Sequence, residues 1–363
     1  MRITLKTTLL AAFALVCLSE TSKLYAQAGG SSVPFLLISP DARSSGMGET
    51  GTAIADDINA IYWNPAGLGF LDYFPPTGDE EEGEPFRQVA LSFSPWLPQF
   101  NSDLFYSYGT IGQFFPSLDG TVAFNFIFMN LGEFTRTWDD GRVLGKFNSH
   151  EFAVGLSYGT IIAPDLAWGF QLRYIQSDLS PATAGNDAGV GISGGFDMGL
   201  LWKPQDLPYV GDALSVGLNL QNVGPKITYK SESDPLPTNL RLGAAYTLVK
   251  DEFNDLKVSA DVSKLLVRRD SAGPDVIPKS LVTAWENPGV ELGMGAEYWY
   301  QGVVAFRAGY FTEPSTLGNR KYWNFGAGLK YDIFKVDMSF INTIEENHPL
   351  ANTMRFSLLI DWR

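Results

Sequence analysis

The chain predicts an all-β fold: a closed transmembrane barrel of about fourteen antiparallel strands, preceded by a partly helical hatch. Three observations predict it. From Gln88 onward, apolar and polar residues alternate in segment after segment, the period-two signature of strands. Many segments run about nine to eleven residues, the length of a tilted membrane strand, where soluble sheets use about five or six. Finally, the charges inside these segments keep to the face opposite the large apolar residues: Glu151, Arg173, Asp197, Arg241, Lys257, Asp261, Arg307, Lys330, Lys335, Asp337 and Arg355. A charge turned toward lipid at the midplane costs ~2–4 kcal/mol, so a lipid-facing surface demands this segregation. The second face also carries glycine, as Gly191, Gly195 and Gly199 do in one segment and Gly293 and Gly295 in another.

The first segment, 1–26, reads as a secretory signal. Arg2 and Lys6 precede an apolar run at 9–18, and Leu24-Tyr25-Ala26 offers a cleavage site. The one cysteine, Cys17, lies in that run behind the bulky Val16, which argues against a lipid anchor, and its removal excludes a disulfide framework. Beyond it no apolar run approaches the ~20 residues a membrane helix needs, so a mature membrane form must be a closed barrel. The formal charge of −14 argues against nucleic-acid partners.

Residues 27–86 are expected to form the hatch and an acidic linker. Ile54, Ile58 and Ile61 fall at helical spacing and Asn64-Pro65 breaks the run. The segment is too irregular for strands and too apolar for a free linker. Trp63, Asn64, Pro65, Ala66 and Gly67 span this break. The run Asp79-Glu80-Glu81-Glu82 with Glu84 reads as a solvated linker.

The barrel is expected over 87–363. Its apolar sets begin Val89, Leu91, Phe93; then Leu104, Tyr106, Tyr108; then Val122, Phe124, Phe126, Phe128; then Phe152, Val154, Leu156, Tyr158. Further sets follow at 166–174, 192–202, 214–220, 240–248, 256–262, 290–300, 304–310, 323–331, 334–340 and 354–362. With the N-terminus placed in the periplasm, the outer links are predicted at 130–148, 176–188, 222–238, 264–288, 311–320 and 342–352, with a short first one at 96–102. The inner links are predicted at 110–119, 160–165, 203–212, 250–255, 301–302 and 332. Long outer loops and short periplasmic turns are the barrel rule. In the last strand, Phe356, Leu358, Ile360 and Trp362 alternate like the C-terminal signal for outer-membrane assembly, although Arg363 follows the aromatic residue.

No catalytic residue and no metal or cofactor site is expected. Gly46-Met-Gly-Glu-Thr-Gly51 has dinucleotide-fingerprint spacing but follows a turn, Ser39-Pro40-Asp41, where the motif needs a strand. Gly155-Leu-Ser-Tyr-Gly159 has nucleophile-elbow spacing, but Ser157 lies inside a strand and His150 is seven positions away, roughly 23 Å along an extended chain. His150 and His348 form no metal-like pair. The mixed inner charges either tune a water channel or pair to fill the lumen; the pattern leaves both open.

Asn64-Pro65-Ala66-Gly67-Leu68, after an alanine-rich acidic lead-in, resembles the hatch motif of FadL-like outer-membrane barrels. The run VPFLLISPDARSSGMG at 33–48, with Ala55-Asp56-Asp57 and Trp63-Asn64-Pro65-Ala66, is similar to the PorV family of the type IX secretion system. Gly67 follows the general FadL-like form, so a sister group such as PorQ-like proteins also fits. The resemblance implies an outer-membrane, non-enzymatic protein of a Gram-negative bacterium. Such a protein binds the C-terminal signal domains of secreted cargo, receives them at the translocon channel, and delivers them to the cell-surface attachment complex, all within outer-membrane lipid. The partner-binding candidates are outer-loop residues Phe134, Trp138, Asp139 and Asp140. The alternative is FadL-type uptake of hydrophobic small molecules. Deacylation of lipid A is discounted for want of a catalytic constellation.

Overall fold

The computed structural model describes residues 30–71, 87–99, 103–137, 141–180, 189–205, 207, 208, 210, 211, 213–230, 232–270, 273–286, 289–315, 317–346 and 348–362. The signal (1–26), the acidic run (79–84), Trp138, Asp139, Asp140 and Arg363 lie outside the described residues.

Alternating stretches become strands because one face must meet lipid and every backbone amide must be paired there. The described residues form a closed barrel of fourteen antiparallel strands. In chain order these are β1 (Arg87–Pro95), β2 (Phe105–Phe115), β3 (Gly120–Thr137), β4 (Val143–Ala163), β5 (Leu166–Ser180), β6 (Gly189–Trp202), β7 (Leu214–Val223), β8 (Asn239–Lys250), β9 (Asn254–Leu265), β10 (Glu291–Tyr300), β11 (Val304–Thr312), β12 (Lys321–Tyr331), β13 (Phe334–Thr343) and β14 (Met354–Trp362). β14 closes on β1, with Val89 opposite Ile360 and Phe93 opposite Phe356, so the sheet has no open edge there. Phe356 faces outward, and Leu358, Ile360 and Trp362 share its face. Tight inner turns use Asp119, Gln301-Gly302 and Asp332 at positive φ, the conformation that matches strand twist.

Three expectations need correction. The outer link at 130–148 is mostly strand: β3 runs to Thr137 and β4 starts at Val143, so Phe134 sits on a long hairpin opposite Phe147. The apolar set of β2 faces inward: Tyr106 is 0% and Tyr108 2% exposed, whereas Ile111 on the other face is 52% exposed. The helical spacing of Ile54, Ile58 and Ile61 yields only one turn, α2 (Ala60–Trp63), after α1 (Ala42–Gly46). All three isoleucines are nonetheless buried.

Residues 30–71 run inside the barrel as short turns. Ile58, Ile61, Tyr62, Trp63 and Leu68 form one apolar cluster with Tyr106, Tyr108, Ile127, Met129 and Ala153 of the wall. This cluster explains the reversed faces of β2: its inner face is apolar because it packs against protein, not because it meets lipid.

Candidate functional site

The N-terminal segment is tied to the wall around most of the circumference. Asp41 caps α1, accepting from Ser44 N at 2.7 Å, and its second oxygen accepts from Trp63 Nε1 at 2.6 Å. Burial, reinforced by the nearby Asp57 charge, pushes the Asp41 carboxyl above its ordinary range. The Arg241 guanidinium of β8 stacks over the Trp63 ring at 4.6 Å. Asn64 breaks α2 and starts the Pro65–Phe70 turn, its side chain accepting from Ala66 N at 3.2 Å. The same side chain donates to Thr52 O at 3.0 Å and to Leu200 O of β6 at 2.9 Å. β7 donates back, Asn219 to Trp63 O at 2.9 Å and Gln221 to Tyr62 O at 2.7 Å.

Next along the wall, Asp261 of β9 accepts from Gly51 N and Thr52 N, both at 3.0 Å, and from Thr52 Oγ1 at 2.6 Å. Glu297 of β10 takes Arg43 in a two-point grip, 2.9 Å to Nε and 2.7 Å to Nη2. Arg43 also holds Asp56 and, at 3.2 Å, Asp57. Arg307 of β11 bridges Glu297 and Asp337, each at 2.7 Å. Burial alone would raise the Asp56 carboxyl; Arg43 and Lys257 beside it outweigh that and hold it well below the usual carboxylate range.

Glycines on the inner face let backbone lie on backbone. A Cβ on Gly309 would fall 2.1 Å from Gly48 N, and one on Gly169 2.3 Å from Pro65 O. Gly67 would meet Ala55 O at 2.2 Å, and Gly48 itself has φ +70. Of the motif residues, Trp63 and Asn64 thus bond directly to strands, Ala66 is fully buried in the apolar cluster, and Pro65 and Gly67 permit close approaches. The fingerprint-like glycines at 46–51 serve this docking. Ser157 is buried on the inner side of β4.

Above this segment, on the side of the long links, a cavity of about 570 Å³ opens. Its floor is Pro34, Leu37 and Ile38; its wall includes Phe311 and Tyr322, stacked at 4.9 Å. Arg320 crosses the Phe311 ring at 5.2 Å and holds Glu313 at 2.7 Å and Glu291 at 3.1 Å. Beside the cavity rises the β3–β4 hairpin. Phe134 stacks on Phe147 at 5.9 Å, Arg136 covers Phe147, and Lys146 pairs with Glu133 at 2.6 Å. Phe134, Val143 and Leu144 remain exposed on it. Sequence spacing gave no sign of the Arg43–Glu297 or Asp261–Thr52 ties, because these partners lie more than two hundred residues apart.

The family model described as "Type IX secretion system protein PorV" matches residues 23–272. No curated protein matches the chain. Among solved structures, the Ralstonia pickettii toluene transporter TbuX is similar at TM-score 0.55 and 14% identity, over 89% of this chain and 98% of that one. The Pseudomonas putida toluene transporter TodX is similar at TM-score 0.51 and 11% identity, over 94% and 99%. A Pseudomonas aeruginosa FadL homologue is similar at TM-score 0.50 and 12% identity, over 89% and 98%. At these identities the likeness concerns the fold: a FadL-like outer-membrane barrel.

Proposed function

Because the chain belongs to the PorV family of type IX secretion proteins, we propose that it binds the C-terminal signal domains of secreted cargo at the cell surface. It then carries them from the translocon channel to the attachment complex. As an outer-membrane type IX component it needs a surface that holds a protein, and a lumen that does not leak while doing so. One observation carries this reading: an outward-opening cavity closed beneath by a segment bonded to the wall on both sides, at β6 to β10 and across the lumen at β1 and β14. In this reading residues 30–71 are a hatch, permanently docked. Its buried ion pairs are costly to break, about 3–5 kcal/mol when one partner is removed.

The stiff β3–β4 hairpin offers the partner surface. Its two strands pair up to Thr137 and Val143, so its apolar side chains are presented with little ordering cost on binding. Phe134 and its neighbours supply apolar contact there, as buried aromatic anchors do in protein interfaces.

Affinity isolation of the tagged protein from detergent-solubilised outer membrane tests this. Co-recovery of the giant translocon and of secreted proteins sharing a C-terminal domain supports it. The double variant Phe134→Asp, Phe147→Asp should cut that recovery by roughly tenfold, as loss of an interface anchor does, with the barrel still folded by heat-dependent gel mobility. Recovery alone, with bound fatty acid or hydrocarbon, would sink the cargo reading and favour uptake of hydrophobic small molecules.

A further inference from the structure

The lipid-facing wall has a notch. Outward residues of β3 to β7 line up in cross-strand rows. One row runs Phe124, Leu156, Leu172, Phe196 and Val223. The next row outward runs Phe126, Val154, Tyr174 and Gly194, and among the described residues no β7 partner continues it. β7 ends at Val223 because Asn222, at φ +57, turns the chain away. That turn is held: Asn222 N donates to Asp197 at 2.6 Å and Asn222 Nδ2 to Pro237 O at 3.1 Å. Ser193 then fastens the departing chain through Pro225 O at 2.9 Å.

The step leaves a concavity of about 540 Å³. Leu156, Leu172, Tyr174 and Phe196 wall it, and Gly194 and Gly224 floor it. The other outward residues of β6 are Val190, Ile192, Phe196, Met198, Leu200 and Trp202, all large. The one without a side chain stands where the neighbouring strand leaves. Directly above runs a polar ladder on the same outward face. Tyr174 OH donates to Gln176 at 2.8 Å, Gln176 to Asp178 at 3.0 Å, and His150 Nε2 meets Asp178 at 3.1 Å. An apolar notch capped by polar groups, at the end carrying the long links, has the polarity profile of one lipid of the outer leaflet.

The geometry points to a lipid site: the notch seats one acyl chain of lipid A, with its polar head level with Gln176, Asp178 and His150. Lipid A is the choice because the ladder lies on the outer side, and the outer leaflet of a Gram-negative outer membrane is built of it. A void against lipid forfeits dispersion contacts on one side. In hydrocarbon, association rests on such packing, not on escape from water. The notch therefore holds a chain longer than a smooth wall does.

Intact-protein mass spectrometry after exchange into mild detergent reads this directly. The wild-type protein should carry about one lipid A per barrel, as a single packed notch allows. Gly194→Phe should lower that occupancy at least about fivefold by filling the space. Its Cβ meets nothing nearer than the Arg173 carbonyl at 3.6 Å, so the strand accommodates it. Gly194→Leu is read alongside as a milder filler. Ala308→Phe on the outward face of β11 adds the same bulk on another part of the wall and should leave the adduct intact. Equal lipid in wild type and both Gly194 variants overturns the proposal. So does an adduct of glycerophospholipid in place of lipid A, or a Gly194 variant that loses a partner protein while its lipid is unchanged.

Discussion

Gly309 carries a constraint that only its surroundings explain. It lies mid-strand, where glycine weakens a sheet, yet the backbone of Gly48 and Met47 occupies the place of its side chain at 2.1 and 2.2 Å. Neither neighbour is a flexible tip that could move aside. Gly309→Ala should therefore leave the barrel closed and force α1 off the wall. Maleimide labelling of an Ala42→Cys reporter, fully buried in the parent, checks it. A loss of ~1.4 kcal/mol in docking speeds labelling about tenfold. The Arg43–Asp56 pair adds a pH test with a definite sign. The Asp56 carboxyl is depressed in the fold, so its contribution is present above the ordinary carboxylate range and disappears as pH falls through the lower folded value. Because maleimide reacts with the thiolate, the rate is read relative to a fully exposed cysteine control at the same pH. That ratio should stay flat from neutral pH to about 5 and rise only in stronger acid; a rise near neutrality would remove Asp56 from the latch.

At the scale of elements, β2 is the informative strand. Its inner face, Tyr106 and Tyr108, packs on the apolar cluster of residues 30–71, and its outer face offers the smaller Ser107, Gly109 and Ile111. Tyr106→Ala should cost about 3–5 kcal/mol, the usual toll of emptying an aromatic core site. Ile111→Ala, facing lipid, should cost far less. Urea titration of the barrel folded into vesicles separates the two; equal costs would mean that β2 has been assigned the wrong face. This strand also marks what periodicity reveals. Alternation gave strand positions and divided each into two faces. It identified the lipid side wherever charge lay on the other, as with Arg173 and Asp197 or Arg307 and Asp337. β2 has no charge between Phe105 and Phe115, so nothing local tells its faces apart. The β3–β4 hairpin is hidden from periodicity for a related reason: Glu133, Arg136 and Lys146 interrupt the apolar alternation, while backbone pairing continues regardless.

For the whole molecule, strand number and closure were legible because they follow from local pattern repeated along the chain. The docking of residues 30–71 was not, because it depends on which inner charges meet which groups of that segment across the lumen. In the proposed reading that docking seals the lumen. Strands β1, β6, β7, β8, β9, β10 and β14 all bond to the segment, so no small rotation frees a path without breaking several bonds at once. The purified protein in a planar bilayer should show no open-channel current. Asp261→Ala with Arg43→Ala removes the ties on one side and strands Glu297 and Arg307 without part of their network. This pair should give intermittent openings, with heat-dependent mobility still reporting a folded barrel. Steady conductance in the parent would mean that a route past the hatch exists in the native state, and small-molecule uptake would then become the stronger account of the lumen. Silence in both proteins would place the seal in the apolar packing of Ile58, Ile61 and Leu68 against Tyr106 and Ile127, with the ion pairs serving only to set the register of docking.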